Sequence, residues 1–295
     1  MTRTFVKASL LLAGLATTVM ADIPAATNGF SLIWGDDFVG PANTAPDSGK
    51  WQYDLGGGYP GGAPNWGTGE VQQATNNIAN SFQDGSGNLK IVPIRDDHGG
   101  WTSARLESIR DDFQAPPGGV LAVEARMQLP DVSGPAAAGY WPAFWMLGAP
   151  YRGNYNNWPN IGEFDIMENV NGLNCVWGTL HSAANPGSNQ DREFGSKLLD
   201  ISPSIQSAFH TYRFELDNAV KEMKWYVDGK QYFSVSSSQL SAQTWTDVTN
   251  HGAFIILDVA IGGNMPAGMG GGPTSATQSG VPLTVDYVAV YQKKP

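Results

Sequence analysis

Apolar residues in this chain recur in short runs, and beyond the first twenty-one residues no dozen-residue window places them at the i, i+3, i+4, i+7 spacing of an amphipathic helix. The runs are rich in β-branched and aromatic side chains: Phe30 to Trp34, Leu89 to Ile94, Val120 to Met127, Trp141 to Leu147, Cys175 to His181, Thr211 to Leu216, Phe254 to Ile261 and Leu283 to Tyr291. Gly, Pro, Asn, Asp and Ser fill the intervals, as strands joined by turns require. The plainest hairpin runs from Glu222 to Val227, turns at Asp228-Gly229 and returns from Lys230 to Val235, because Asp-Gly accepts the positive φ angles of a type I′ turn. The pattern predicts an all-β protein. Neither a repeat of fixed period nor a Ser/Gly/Pro linker divides it.

Composition narrows the class. The chain has 295 residues, 41% of them hydrophobic and 11% aromatic, which excludes a disordered chain and predicts a packed core. All-β units commonly reach about 200–250 residues, so one domain over residues 22–295 is expected. The single cysteine, Cys175, allows neither an internal disulfide nor a cysteine-based zinc site, and it reads as a buried, inert side chain. Arg3 and Lys7 precede an apolar run from Ala8 to Val19, and Ala21 closes a Val-Met-Ala tripeptide, so residues 1–21 read as a signal peptide and the remainder as a secreted chain. Without that segment the formal net charge moves from −10 to −12. An acidic surface repels phosphate backbones and anionic lipid, so neither nucleic acid nor membrane is expected as a partner, whereas a neutral polysaccharide meets no such penalty.

Two stretches, Leu55 to Gly69 and Gly262 to Gly280, are especially rich in glycine and carry Tyr59, Trp66, Asn264 and Met265; they read as binding or surface loops and lack a phosphate-cradle motif. The most informative segment is Gly162-Glu163-Phe164-Asp165-Ile166-Met167-Glu168. Alternation along a strand puts Glu163 and Asp165 on one face, and Glu168 joins them only if one extra residue, a β-bulge at Ile166 to Met167, resets the alternation. Three acids on one face repel one another and gain nothing from packing. A solvated acidic strand would also fit the spacing alone. Trp141, Trp145 and Trp158 nearby favour a concave acidic groove, since flat aromatic faces suit the C–H faces of pyranose rings and tryptophan is seldom fully buried.

These segments, together with Thr102-Ser103-Ala104-Arg105, Trp141-Pro142-Ala143-Phe144-Trp145-Met146, Gly178-Thr179-Leu180-His181, His210-Thr211-Tyr212, Trp225-Tyr226-Val227-Asp228-Gly229, Gly262-Gly263-Asn264 and Val285-Asp286-Tyr287-Val288, resemble glycoside hydrolase family 16, in its laminarinase-like branch. The likeness spans nearly all of residues 22–295. It implies a β-jelly-roll of two curved antiparallel sheets with an open concave cleft, acting as a monomeric, endo-acting, retaining hydrolase of β-linked polysaccharide. By the same resemblance Glu163 is the nucleophile, Glu168 the general acid/base and Asp165 the carboxylate that tunes them. Trp141, Trp145, Trp158, Arg105, His181 and Asn264 then bind substrate. No cofactor or catalytic metal is implied, but Asp286, assisted by Asp36 or Asp37, occupies the position of a structural calcium on the convex side. One position departs from the pattern: Met265 stands where β-1,3-glucan-active relatives carry tryptophan. β-1,3-Glucan stays the favoured substrate by the resemblance, and the departure at Met265 motivates the alternative, the β-1,3-galactan backbone of arabinogalactan. A transglycosylase and a non-catalytic lectin are the further readings the fold admits.

Overall fold

The computed structural model describes residues 23–295; the expected signal peptide lies outside the described residues. Two antiparallel sheets form the body. A seven-stranded sheet runs in the spatial order Asp191–Leu199, Cys175–Ala183, Glu163–Glu168, Tyr140–Gly148, Ala253–Ile261, Arg105–Ser108, Trp51–Asp54. An eight-stranded sheet backs it, with Val120–Gln128 and Leu283–Lys293 at its centre and Phe30–Asp36 paired to the latter. A small third sheet joins Gln72–Ala74, Trp101–Ser103 and Ile94–Arg95.

Period-two alternation explains the layering. On Tyr140–Gly148 the even positions Phe144 and Met146 are buried between the sheets, while Trp141, Ala143, Trp145 and Leu147 face the other way. The core between the sheets is aromatic: Phe164 packs on Phe214 at 5.3 Å between centroids, Phe214 on Trp225 at 5.0 Å, and Trp225 on Phe233 at 4.8 Å. Burying side chains of this kind is worth roughly 1.5–3 kcal/mol each. Trp225 also satisfies its own donor, since its Nε1 donates to the backbone carbonyl of Asp165 at 2.8 Å and ties the acid-bearing strand to the second sheet. Gly178 is required beneath it: a Cβ there would lie 2.7 Å from Trp225 Cδ1 and 2.3 Å from Tyr232 Oη.

The observed strands contain the predicted runs with ends shifted by a few residues, except that Leu89 to Ile94 breaks at Val92-Pro93 into Leu89–Ile91 in the eight-stranded sheet and Ile94–Arg95 in the small third sheet; the predicted hairpin is present with φ of 49° at Asp228 and 73° at Gly229. Two short helices, Ala242–Thr249 and Asn264–Gly268, escape the sequence reading because each is too brief to display a period; the first is announced only by Ser241, whose hydroxyl accepts from Thr244 N. Cys175 is buried and unpaired.

The expected calcium ligands are otherwise engaged. Asp286 accepts from Arg126 Nη1 at 2.5 Å on the eight-stranded sheet, and Asp36 accepts from Lys50 Nζ at 3.0 Å and Trp51 Nε1 at 2.8 Å. Protein cations and donors engage these two carboxylates, and neither belongs to a group of three close acidic, histidine or cysteine side chains among the described residues.

Candidate active site

The exposed face of the seven-stranded sheet carries a cleft of about 360 Å³. Its acidic end is built by the Glu163–Glu168 strand. Against Tyr140–Gly148 the register jumps from Phe144 opposite Met167 to Trp145 opposite Asp165; against Cys175–Ala183 it jumps from Asp165 opposite Thr179 to Glu168 opposite Trp177. One surplus residue therefore sits in the strand where the spacing of the acids predicts it. Glu163, Asp165 and Glu168 all line the cleft, while Phe164, Ile166 and Met167 are buried in the core.

Of the four tryptophans that line the cleft, Trp66 leaves its indole N–H without a partner and the other three present theirs to carboxylates. Trp141 Nε1 donates to Glu168 Oε1 at 3.0 Å, Trp158 Nε1 to Glu163 Oε2 at 2.9 Å, and Trp145 Nε1 to Asp258 Oδ1 at 3.0 Å. Their rings line the cleft, so anchoring one edge leaves apolar surface toward its interior. Burial first, and then the charge of Asp165, raise both glutamates: Glu163 to about 8, and Glu168 well above the ordinary carboxylate range. His181 and the Trp158 N–H work against the rise at Glu163.

Arg105 occupies the other end. Its guanidinium lies 4.4 Å from the Trp66 ring centroid and 4.7 Å from that of Trp145, its Nε donates to Asp54 Oδ2 at 3.1 Å, and its Nη2 donates to Tyr59 Oη at 3.2 Å. Tyr59 in turn bonds Glu107, which Arg152 Nη2 reaches at 3.0 Å. Tyr59 also stacks on Tyr155, 4.6 Å between centroids and 8° from parallel. Arg105 thus lines the cleft beside the acids without bonding Glu163, and its hydrogen bonds go to Asp54 and Tyr59.

Two expected binding residues, His181 and Asn264, are not among the residues that line the cleft. His181 lies among the acids, its Nε2 3.4 Å from Asp165 Oδ2 and 3.9 Å from Glu163 Oε1. Asn264 is exposed at the start of Asn264–Gly268, not among the residues that line the cleft but next to one of them, since its backbone N–H donates to the carbonyl of Thr68 at 2.8 Å. A side chain at Gly263 would meet the Trp141 ring at 3.0 Å. Met265, half-buried on the same helix, is likewise outside the lining. Of the two glycine-rich stretches, only the first contributes to the cleft, through Tyr59, Trp66 and Thr68. The second is pinned elsewhere by Arg95, whose guanidinium donates to the carbonyls of Thr274 and Ser275.

Glu163, Asp165 and His181 bring three potential metal donors within 4.8 Å of one another. The histidine there is a cation: although burial opposes its charge, Asp165 and Asp191 lift its pKa to about 12. A metal ion would have to displace that proton and bear the repulsion first. Sequence reasoning overlooks Asp54, Glu70, Glu107, Asp191 and Asp258. Asp258 did leave a signal, as the one acid in the fully buried strand Ala253–Ile261; Asp191 left none.

A jelly-roll with an acid-floored, tryptophan-walled cleft is the build of a glycoside hydrolase. The family description "XgeA-like, catalytic GH16 domain" matches residues 127–211. The beta-glucanase of Rhodothermus marinus is 31% identical over 272 residues, covering 89% of this chain and 85% of that protein. The crystal structure of the endo-1,3-beta-glucanase of Streptomyces sioyaensis superposes with a TM-score of 0.90 at 51% identity, covering 93% of this chain and 100% of that one. The clotting factor G alpha subunit of Tachypleus tridentatus is 31% identical over 89% of this chain, but the chain spans only 34% of its length. The chain belongs to glycoside hydrolase family 16.

Proposed function

We propose that the protein is an endo-acting, retaining hydrolase of β-1,3-glucan. The observation that carries this reading is the bulge that brings Glu163, Asp165 and Glu168 to one face at the floor of a tryptophan-walled cleft. In the double-displacement scheme Glu163 attacks the anomeric carbon while Glu168, kept protonated by its buried setting, delivers its proton to the departing glycosidic oxygen. Esterification removes the charge of Glu163; Glu168, now ionised, takes a proton from the incoming water, which cleaves the ester and restores both side chains. Asp165 between them sets the proton affinities. Trp141, Trp145 and Trp158 offer stacking faces for sugar rings.

The printed activities of the Streptomyces and Rhodothermus relatives support glucan as the substrate. The departure at Met265 gives little support to galactan, since Met265 is not among the residues that line the cleft. Secretion, which the N-terminal sequence suggests, and a monomeric state complete the reading, and both suit an enzyme whose substrate is a polymer. The test is reducing-end release from laminarin, mixed-linkage glucan, de-branched arabinogalactan and agarose. Laminarin is expected to be cleaved fastest, to a ladder of oligosaccharides; preference for arabinogalactan, or no release at all, overturns the proposal. Products longer than a starting oligosaccharide would instead identify a transglycosylase.

A further inference from the structure

His181 is the one basic side chain within ion-pair distance of the acid cluster among the described residues. It stands directly opposite Glu163 in the strand ladder. The Asp165 oxygen that its Nε2 faces is buried and has no hydrogen-bond partner. On its other side Nδ1 lies 2.7 Å from Asp191 Oδ2, at the start of the edge strand Asp191–Leu199, and the Trp158 ring is tilted over the imidazole at 5.8 Å. A ring that meets carboxylates at both nitrogens is served only when both carry protons. Glu168 has no such cationic neighbour and is held instead by the Trp141 N–H.

The charged groups facing the ring are Glu163 and Asp165 from the acid strand, with Glu168 farther along it, and Asp191 and Glu193 from the edge strand, where Glu193 is the register partner of His181. Trp158, from the loop before the acid strand, brings no charge. The strand Cys175–Ala183 holds no other ionisable carboxylate or base. The cation therefore sits at one side of the cluster, within ion-pair distance of Glu163 and Asp165, and reaches Glu168 only from farther off.

We propose that His181, fastened by Asp191, is a positioning residue that decides which glutamate of the cluster gives up its proton more readily: its charge, set nearer Glu163 than Glu168, favours the carboxylate form of Glu163 and leaves the proton to Glu168. This rests on the roles proposed above for the two glutamates. Sequence resemblance places His181 at the sugar; the geometry places it behind the acids.

The test is the pH dependence of kcat/KM on laminarin, whose low-pH limb reports ionisation of Glu163 in the free enzyme. His181→Gln, uncharged, should move that limb upward by about one to three pH units, the shift that an opposite charge at this range produces. A merely structural role would lower the rate at every pH and leave the limb in place, and that result overturns the proposal. NMR titration of the ring supplies a second measurement that survives a misfolded variant. In the native enzyme the His181 ring should stay doubly protonated to pH 9, and Asp191→Asn should lower its midpoint; a native ring that titrates near neutrality overturns the proposal as well. Glu163→Gln separates the two levels. Hydrolysis that persists in that variant defeats the assignment of the glutamates, whereas an inactive Glu163→Gln beside an unmoved limb in His181→Gln defeats the positioning role alone.

Discussion

The two ends of the cleft handle buried charge in opposite ways. At the Arg105 end, Asp54 and Glu107 are matched by Arg105 and Arg152, and Tyr59 and Gln52 complete their hydrogen bonds. At the Glu163 end, three carboxylates have one histidine nearby, within ion-pair distance of Glu163 and Asp165 only, and that histidine is also drawn on by Asp191. Both ends are desolvated, and burial raises carboxylates at each, Asp54 and Asp258 to about 7 and Glu163 to about 8; what differs is the supply of positive charge. A buried charge with a partner gives an ordered wall, and removing the partner exposes the full desolvation cost. A cluster left short of positive charge must hold protons at neutral pH, and a held proton is what acid catalysis requires.

The contrast can be broken deliberately. The largest effect should come from Glu163→Gln, which abolishes reducing-end release from laminarin yet does not lower the melting temperature, because it removes repulsion rather than support; a lower melting temperature would mean that the acidic end is structural too. Glu168→Gln should reduce kcat by about 10²–10⁴-fold, the usual worth of a positioned proton donor, as measured by initial rates. Arg105→Met at the compensated end should act on the fold, lowering the unfolding free energy by about 3–5 kcal/mol in denaturant titrations, since Asp54 is left buried and unpaired. A smaller effect tests Asp258, whose burial lifts its pKa to about 7. The folded state binds that proton more tightly than the unfolded chain, so this side chain costs stability as pH rises from the ordinary carboxylate range through 7. Asp258→Asn should therefore gain stability relative to the native protein between pH 4.5 and pH 7.5, read from unfolding curves at the two pH values. The smallest is Trp158→Phe, which keeps a ring and loses the N–H to Glu163; the low-pH limb of kcat/KM should move upward by less than one unit.

Much of the acidic end could be read along the chain. Glu163, Asp165 and Glu168 lie within six residues, and their spacing demands a bulge that the register shows. The alternation of Trp141, Ala143 and Trp145 with Phe144 and Met146 likewise displays its two faces locally. The Arg105 end could not be read in this way: Asp54, Arg105, Arg152 and Asp258 come from three strands and a loop, and only sheet order brings Asp54 opposite Arg105 and Arg105 opposite Asp258. Asp191 stayed hidden for a related reason, since its strand carries polar and charged residues at most positions and has no apolar run to reveal it.

Asp191 opens the outermost ribbon of the seven-stranded sheet, which pairs with a neighbouring strand on one side only. Backbone amides at such a margin exchange with solvent more readily than those in the middle of a sheet. The anchor for the charge balance of the site thus belongs to the part of that sheet whose pairing is most easily released. Fraying from that margin, by warming or by mild denaturant, would disturb proton placement before the interior loosens, and activity should decline ahead of global unfolding.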